Sequence, residues 1–262
     1  MAIPTTNVSF SSIYNAINDP DHNGSDAISL SSFRGQTFTS GNAVPASGAI
    51  SIDTDFKGRT PSSNVIPDGE YQFPPGNLPT DNITKSPIYG LYDYSQWGGI
   101  YLKEEIEEAT GTVGKPGHLM GIAFQLNGWR VSPPYLVNNQ TIKISHVTNS
   151  STLPDPGTPD YIGLALKNTT TVKENFTWRV LSSPSFSYFI DFDTGFDYNG
   201  QDNILISWEN RDGSYIFGYG WCEGESDTPN RSHSWYRDDF YPTGSSSNDG
   251  GRPNIKFKFI EK

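Results

Sequence analysis

The sequence is poor in cysteine, in long apolar runs and in basic residues, and each shortage excludes a class of protein. Cys222 is the only cysteine, so no disulfide framework can form within the chain. No run reaches the roughly 18 to 20 apolar residues that a membrane-spanning helix needs. The 18 Lys and Arg residues are outnumbered by 29 Asp and Glu residues, for a formal net charge of -11. We therefore expect neither membrane insertion nor nucleic-acid binding, because the latter needs clustered basic residues.

The residues that are abundant predict an all-β protein. The 262 residues include 26 Gly and 19 Pro, and 13% of them are aromatic. Such a composition favours short strands joined by many turns over long helices. A chain of this length can bury a substantial core in one large all-β domain or in two small ones.

Composition and N-terminus together suggest where the protein is found. The chain is rich in Ser, Thr, Asn and Gly, as extracellular proteins are, yet its first residues (Met-Ala-Ile-Pro-Thr-Thr-Asn) lack the segments of a secretory signal. A virion component made in the host cytoplasm has both properties, and a processed secreted protein would have the same composition. We interpret the eight Asn-x-Ser/Thr triplets as a by-product of this composition rather than as glycan sites. They begin at Asn7, Asn23, Asn82, Asn139, Asn149, Asn168, Asn175 and Asn230.

A short repeat occurs three times in residues 1–85, which we predict to be an extended N-terminal arm. Residues 8–13 (Val-Ser-Phe-Ser-Ser-Ile) recur at 28–33 (Ile-Ser-Leu-Ser-Ser-Phe) and more loosely at 50–53 (Ile-Ser-Ile-Asp). Each copy suits a short strand, and a unit this small cannot bury its own apolar face. We therefore expect the repeats to dock on other subunits, with a Ser-rich linker as the alternative and Pro-rich residues 61–79 as a spacer. The docking residues are Ile28, Ser29, Leu30, Phe33, Arg34, Gly35, Phe56, Lys57 and Gly58.

Residues 86–262 are predicted to form one jelly-roll-like antiparallel β-sandwich. Runs of alternating apolar residues begin near positions 86, 119, 141, 176, 187, 203, 215 and 254, separated by turn-forming residues. Asn199-Gly200 and Asp212-Gly213 are predicted to be hairpin turns, because both pairs accept a positive φ. Residues 101–109 are the only helical candidate, and their four glutamates predict a solvated turn at most.

The repeats and several landmarks of the second half carry a resemblance to known proteins. The Ser-apolar-Ser repeats with Phe-Arg/Lys-Gly tails resemble N-terminal segments of structural proteins of marine tailed phages, especially cyanophages. The second half resembles a β-sandwich module of those proteins and of large surface proteins of Bacteroidetes. Its landmarks are residues 100–102 (Ile-Tyr-Leu), 122–124 (Ile-Ala-Phe), 196–206 and 252–255 (Arg-Pro-Asn-Ile). The resemblance implies a fibre, tail or capsid-decoration protein and brings no catalytic residues.

Two acidic residues are the best catalytic candidates. Asp191 and Asp193 share one face of a predicted strand, and a spacing of two residues permits the carboxyl separation of a glycosidase. We interpret them instead as the solvent side of a half-buried strand, with Tyr188, Ile190 and Phe192 opposite. We therefore predict no catalytic site, and the protein is not expected to be an enzyme.

No metal or cofactor site is predicted either. Residues 19–26 resemble the front half of a calcium loop, but Leu30 stands where such a loop supplies a bidentate glutamate, so a polar turn is favoured. The histidines His22, His118, His146 and His233 lack metal-ligand spacing. Cys222 lies in an aromatic run and is interpreted as a core residue.

Residues 221–241 mix aromatic side chains with arginines and carboxylates. That mixture suits a protein interface or a sugar site, and the alternative is a loop whose aromatic residues close one end of the sandwich. The candidate ligand or interface residues are Trp221, Arg231, Trp235, Tyr236, Arg237 and Tyr241.

These observations favour a non-enzymatic virion structural protein that docks through its arm and displays the sandwich. Expected partners are other virion proteins and further copies of the chain, for example in a trimer, with a host surface glycan as an additional partner. The alternatives are a carbohydrate-binding module or surface adhesin, and a jelly-roll glycan hydrolase or lyase.

Overall fold

The computed structural model describes residues 65–83, 85–127, 135–153, 164–180, 186–215, 221–226, 230–242, 247–248 and 251–260. The chain divides between Asn64 and Val65, and all of the described residues lie in the second part. The docking repeats, the calcium-loop-like residues 19–26 and residues 216–220 of one predicted strand lie outside the described residues. Within the described part, no helix is long and apolar enough to cross a membrane.

Strands make up most of the secondary structure. The one helix among the described residues is α1 (Lys103–Thr110). The strands are β1 (Gly69–Phe73), β2 (Asp81–Ile83), β3 (Tyr94–Tyr101), β4 (Gly117–Phe124), β5 (Leu126–Asn127), β6 (Tyr135–Val147), β7 (Leu166–Val180), β8 (Ile190–Tyr198), β9 (Asn203–Asn210), β10 (Trp221–Glu225), β11 (Ser232–Arg237), β12 (Ser247–Asn248), β13 (Arg252–Pro253) and β14 (Ile255–Ile260). The predicted all-β class is confirmed, whereas the jelly-roll strand order stays a prediction.

The described strands pair antiparallel in three sheets. A six-stranded sheet has the order β12-β11-β3-β9-β6-β7, and a four-stranded sheet has the order β1-β14-β4-β8. A small sheet consists of β13, β10 and β2, and β5 also pairs with β10. The larger sheets pack face to face as a sandwich-like core, because Phe124 of β4 lies 5.9 Å from Trp97 of β3 and 5.7 Å from Trp208 of β9, between ring centroids.

Strand β14 shows how the alternating sequence produces this arrangement. Its residues Ile255, Phe257 and Phe259 are buried, and the intervening Lys256 and Lys258 are only partly buried. Successive side chains of a strand point to opposite faces, so one face of β14 enters the core and the other faces water. This pattern is what makes β14 recognisable from the sequence.

The six-stranded sheet is buried on both faces in its central strands. Trp97, Ile206 and Trp208 belong to the main core between the sheets. On the opposite face, a second apolar cluster forms around Ile100 and Trp235. Its other fully buried members are Val147, Leu153 and Leu205. Strands β3 and β9 are therefore enclosed on both sides along most of their length.

The β structure begins earlier than the sequence pattern indicated. Strand β1 pairs with β14 along five residues, and Phe73 at its end is fully buried. Strand β2 pairs with β10, and its Ile83 belongs to the main core. Residues 65–83 are thus part of the β structure, and the boundary near residue 85 lies too far along the chain. The prolines of this segment predict loops, so the sequence pattern does not indicate its two short strands.

The two predicted hairpin turns are wrong. Asn199-Gly200 connects β8 to β9, which belong to different sheets, so the connection is an arch between sheets. Gly200 has φ +72°, and a Cβ there would lie 2.5 Å from a backbone atom of Lys115, so glycine is required. Asp212-Gly213 follows β9, whose two sides are already paired with β3 and β6, so β9 cannot pair with the residues after this turn.

Two other local predictions also need correction. Residues 86–93 are not a strand, because β3 begins only at Tyr94. The segment predicted to be a solvated turn at most is the helix α1, whose Ile106 is buried in the main core. Its Gly111 ends the helix in the left-handed conformation.

Candidate functional site

Aromatic and basic side chains gather where β3 begins and where β9 and β11 end. The sheet register places Tyr236 opposite Ser95, Arg237 opposite Tyr94, and Ser95 opposite Asn210 at the end of β9. The last residue of β11 therefore lies beside the first residue of β3. We call this end of the six-stranded sheet, with both of its faces, the tyrosine end. It consists of Lys85, Tyr89, Tyr92, Tyr94, Arg211, Tyr236, Arg237, Phe240 and Tyr241.

Three tyrosines form the centre of the tyrosine end. The ring of Tyr92 lies 4.4 Å from that of Tyr236 and 5.3 Å from that of Tyr89. Tyr89 meets Tyr236 edge to face at 4.7 Å. The ammonium of Lys85 lies 5.8 Å from the ring of Tyr89 and 5.5 Å from that of Tyr236, within cation–π range. All three tyrosines are partly buried, and neighbouring side chains restrict their rings.

Two arginine–aromatic pairs lie at the same strand ends, but Arg237 follows Tyr236 on β11 and so points to the opposite face of the sheet. The guanidinium carbon of Arg211 lies 3.6 Å from the ring centroid of Tyr241, and that of Arg237 lies 4.8 Å from Phe240. Arg211 is also held by Glu209, whose Oε2 accepts a hydrogen bond from its Nε at 2.9 Å. Phe240 keeps 49% of its surface exposed. These pairs form a second group of aromatic and basic side chains, and Arg211 is neutralised by Glu209.

The turn after β9 packs against the residues around the start of β3. Gly213 has φ +74° and donates its backbone N–H to the carbonyl of Asp93 at 3.1 Å. A Cβ at this position would lie 3.2 Å from the hydroxyl oxygen of Tyr94, so the turn packs directly on that tyrosine. Two large apolar side chains near this turn in the sequence or next to Tyr92 are exposed. Tyr215, two residues after Gly213, is 57% exposed, and Leu91, the residue before Tyr92, is 40% exposed.

Half of the predicted interface residues lie at the tyrosine end. Tyr236, Arg237 and Tyr241 belong to it, whereas Trp235 is only 2% exposed and packs in the second apolar cluster. Trp235 is therefore a core residue and cannot stack on a ligand. The error has a physical cause: β11 is buried on both faces, so neighbouring residues Trp235 and Tyr236 have unrelated surroundings.

Arg231 is engaged in a buried ion-pair network. Its Nη2 donates to Glu105 Oε2 at 2.9 Å, while the guanidinium of Arg252 binds both carboxylate oxygens of Glu105 at 2.6 and 2.7 Å. Burial raises the pKa of Glu105, but the hydrogen bonds and charges of the two arginines outweigh burial and hold the pKa below its usual range. Arg231 thus fixes α1 to the sheets. Trp221, the remaining candidate, begins β10.

The sequence candidates did not include six residues of the tyrosine end. These are Lys85, Tyr89, Tyr92, Tyr94, Arg211 and Phe240. The run Tyr-Gly-Leu-Tyr-Asp-Tyr at residues 89–94 was a visible signal, but its alternation was interpreted as a strand. Only Tyr94 of the three tyrosines belongs to a strand, because β3 begins there.

The two catalytic candidates are each paired with a lysine. Lys258 Nζ donates to Asp191 Oδ1 at 2.9 Å, and Lys173 Nζ donates to Asp193 Oδ1 at 2.7 Å. The aspartate side chains are 68% and 66% exposed. Ile190 and Phe192 are buried opposite them, as expected for a half-buried strand, but Tyr188 precedes the strand and is 76% exposed.

The structure describes three of the four histidines and the cysteine. His118 Nδ1 hydrogen-bonds Asp197 Oδ1 at 2.5 Å, and His146 and His233 are buried. Cys222 is fully buried in the main core, where burial raises the pKa of its thiol, so its interpretation as a core residue is confirmed. In the described ranges, no group of three or more His, Cys, Asp or Glu side chains is arranged to hold a metal ion.

Comparisons with known proteins add no assignment to this geometry. The sequence matches no family model, no curated protein and no solved structure.

Proposed function

We propose that this chain is a non-enzymatic structural protein of a tailed-phage virion, such as a fibre, tail or capsid-decoration component. The N-terminal repeats dock on other virion subunits, and the β domain is displayed. The observation that carries the proposal is the threefold repeat in residues 8–60, whose second and third copies share a Phe-basic-Gly tail. Repeats too small to bury their own apolar residues need a partner surface.

The β domain supports a display role because it buries a large core from its own residues. Its fully buried aromatic residues include Trp97, Trp208 and Phe257. A domain with this core holds its surface in one geometry without help from a partner. The two exposed aspartates on β8 are neutralised by lysines, which suits a stable outer face better than acid–base chemistry.

The test changes the arm and leaves the β domain intact. In the full chain, Phe33→Ser and Phe56→Ser together remove the apolar residue that starts the two shared tails. We expect the amount of protein in purified particles of the encoding phage to fall about tenfold, the effect of losing roughly 1.4 kcal/mol of docking free energy. The matched control is Tyr188→Ser, which changes an exposed aromatic residue of the β domain.

Quantitative immunodetection of the chain in particles distinguishes the outcomes. Unchanged incorporation of the double variant contradicts docking through the repeats, and absence of the unaltered chain from particles contradicts the virion role. Light scattering on the purified chain tests the expected homo-oligomer at the same time.

A further inference from the structure

A buried histidine lies where the chain crosses from the four-stranded sheet to the six-stranded sheet. His146 of β6 is fully buried, and the rings of Phe196 and Tyr198 of β8 lie 4.6 and 6.2 Å away between ring centroids. Residues 199–202 connect β8 to β9, and we call them the β8–β9 arch. The first backbone N–H of this arch, that of Asn199, donates a hydrogen bond to His146 Nε2 at 3.2 Å.

The hydrogen bond from the arch requires a neutral imidazole. A ring nitrogen of histidine accepts a hydrogen bond only when it carries no proton. The backbone of Lys167, which lies opposite His146 in the pairing of β6 with β7, also hydrogen-bonds the ring. Protonation places a second N–H on the ring, at Nε2, where it faces the N–H of Asn199. Two donors then oppose each other, and Asn199 loses its acceptor.

The β8–β9 arch has internal hydrogen bonds that do not involve His146. The side-chain oxygen of Asn199 accepts the backbone N–H groups of Gln201 and Asp202 at 2.9 and 3.1 Å, and its Nδ2 donates to Asp202 Oδ2 at 2.7 Å. A side-chain bond to the loop after α1 is long, because Gln201 Nε2 lies 3.5 Å from the carbonyl oxygen of Gly114. The arch can therefore keep its own shape when it moves away from His146.

We propose that the β8–β9 arch is an acid-released latch, in which protonation of His146 frees the arch from β6 while both large sheets stay folded. The sheets stay folded because β6 remains paired with β7 and β9, and β8 remains paired with β4. Opening brings water to the end of the core that contains His146, Phe196 and Tyr198. The latch is a property of the β domain, and it does not depend on the proposed virion role.

The groups around His146 determine the direction of the response to pH. Burial lowers the pKa of His146 and outweighs the opposing charge of Asp202 in the arch, while the charge of Lys167 on β7 also lowers the pKa. In the open state the ring meets water, and its pKa returns toward about 6.5. The open state therefore binds a proton that the closed state does not, so acid favours opening.

A second buried group also favours the open state. The hydroxyl of Tyr198 is buried, and within the part of the chain that the structure describes it has no hydrogen-bond partner. Burial raises the pKa of Tyr198, as do the carboxylates of Glu107 and Glu104 on α1 and of Asp202, so the hydroxyl stays neutral while His146 titrates. An unpaired buried hydroxyl costs free energy, which is recovered when opening lets water reach it.

The experiment measures hydrogen exchange of single backbone amides in the full chain by NMR, between about pH 7.5 and about pH 5. After correction for the intrinsic effect of pH, the exchange rate gives the opening equilibrium at each amide. Below about pH 6.5, opening at Asn199 should increase by up to about tenfold per pH unit, the effect of one proton. The amide of Ile144 in β6 reports unfolding of the sheet and should stay at least about a hundredfold better protected.

Two variants and a control identify the group that titrates. His146→Gln keeps an acceptor and cannot titrate, so opening at Asn199 should lose its dependence on pH. Asp202→Asn changes a partly exposed side chain and keeps the fold if His146→Gln does not. It removes the charge that favours the imidazolium, so acid opening should continue to a lower pH. His118→Gln is the matched control and should behave as the unaltered chain does.

Three results overturn the latch. The first is opening at Asn199 that does not change with pH. The second is a pH dependence that is unchanged in both His146→Gln and Asp202→Asn, which assigns the proton to another group. The third is equal protection of the Asn199 and Ile144 amides, which shows that the arch opens only when the whole domain unfolds.

Discussion

Asparagine occupies each described non-glycine position whose backbone has a positive φ. These positions are Asn139, Asn168, Asn175 and Asn230, with φ between 51° and 59°. Among ordinary residues, asparagine tolerates this left-handed region best, because its short side chain can hydrogen-bond locally. All four asparagines begin an Asn-x-Ser/Thr triplet. Backbone geometry thus gives these asparagines a structural reason that is independent of glycan attachment.

Replacing one of these asparagines should reveal the backbone requirement. Asn175 is exposed in β7 with φ 51°, so alanine there should lower the free energy of unfolding by about 1 kcal/mol, whereas glycine should leave it nearly unchanged. Urea denaturation measures the difference. Glu174→Ala, at the exposed neighbouring position, is the control and should have little effect. Equal stability of the alanine and glycine variants would contradict the argument.

His146 makes stability depend on pH. Its Nε2 accepts a hydrogen bond from the backbone N–H of Asn199 at 3.2 Å, and its ring packs 4.6 Å from that of Phe196. Burial lowers the pKa of His146 and outweighs the charge of Asp202 and a hydrogen bond to the backbone of Lys167, both of which raise it. The folded state therefore holds His146 neutral at a pH where the unfolded chain takes up a proton.

The sign of the pH dependence follows from this difference. Below about pH 6.5, the unfolded chain binds more protons at this position than the folded protein, so the free energy of unfolding falls as pH falls. His146→Gln keeps a hydrogen-bond acceptor and cannot titrate. Urea denaturation at about pH 7.5 and about pH 5.5 should show a smaller loss of stability in the variant. An identical loss in both proteins rules out His146 as the source.

Helix α1 is an element held by charge as well as by apolar contact. Glu105 in its first turn receives hydrogen bonds from Arg252 at 2.6 and 2.7 Å, and the Arg252 side chain is 1% exposed. Removing the carboxylate leaves a buried guanidinium without its main partner, which costs about 3 kcal/mol. Glu105→Ala should therefore strongly destabilise the protein in urea denaturation. Glu108→Ala on the exposed side of α1 should not, and a similar small effect of both changes would contradict this role of Glu105.

The elements that the sequence predicts well are those with one buried face. Strand β14 is an example, because Phe257 and Phe259 alternate with lysines. Strand β11 and helix α1 were misjudged because their surroundings are decided by distant parts of the chain. Trp235 is buried by the second apolar cluster, and Glu105 is balanced by Arg252, which is 147 residues away. No local pattern carries that information, so the sequence predicted only three of the nine residues of the tyrosine end.

At the scale of the whole molecule, residues 65–85 decide which fragment can fold. Phe73 of β1 lies 4.4 Å from Phe257 and 6.3 Å from Tyr101 between ring centroids, and it is fully buried. Ile83 of β2 is also buried in the main core. A fragment starting at residue 86 loses both side chains and exposes the edge of β14 that pairs with β1.

We therefore expect residues 65–262 to fold without the N-terminal segment, and residues 86–262 to fail. Loss of one large buried aromatic side chain typically costs about 3 to 5 kcal/mol. The shorter fragment loses Phe73, Ile83 and the whole of β1. The summed cost of these losses approaches the free energy of unfolding of an ordinary domain. Thermal unfolding followed by near-ultraviolet circular dichroism distinguishes the two fragments, because it reports on packed aromatic residues. A cooperative transition in the shorter fragment, at a temperature close to that of the longer one, would show that β1 and β2 only decorate a core that is complete without them.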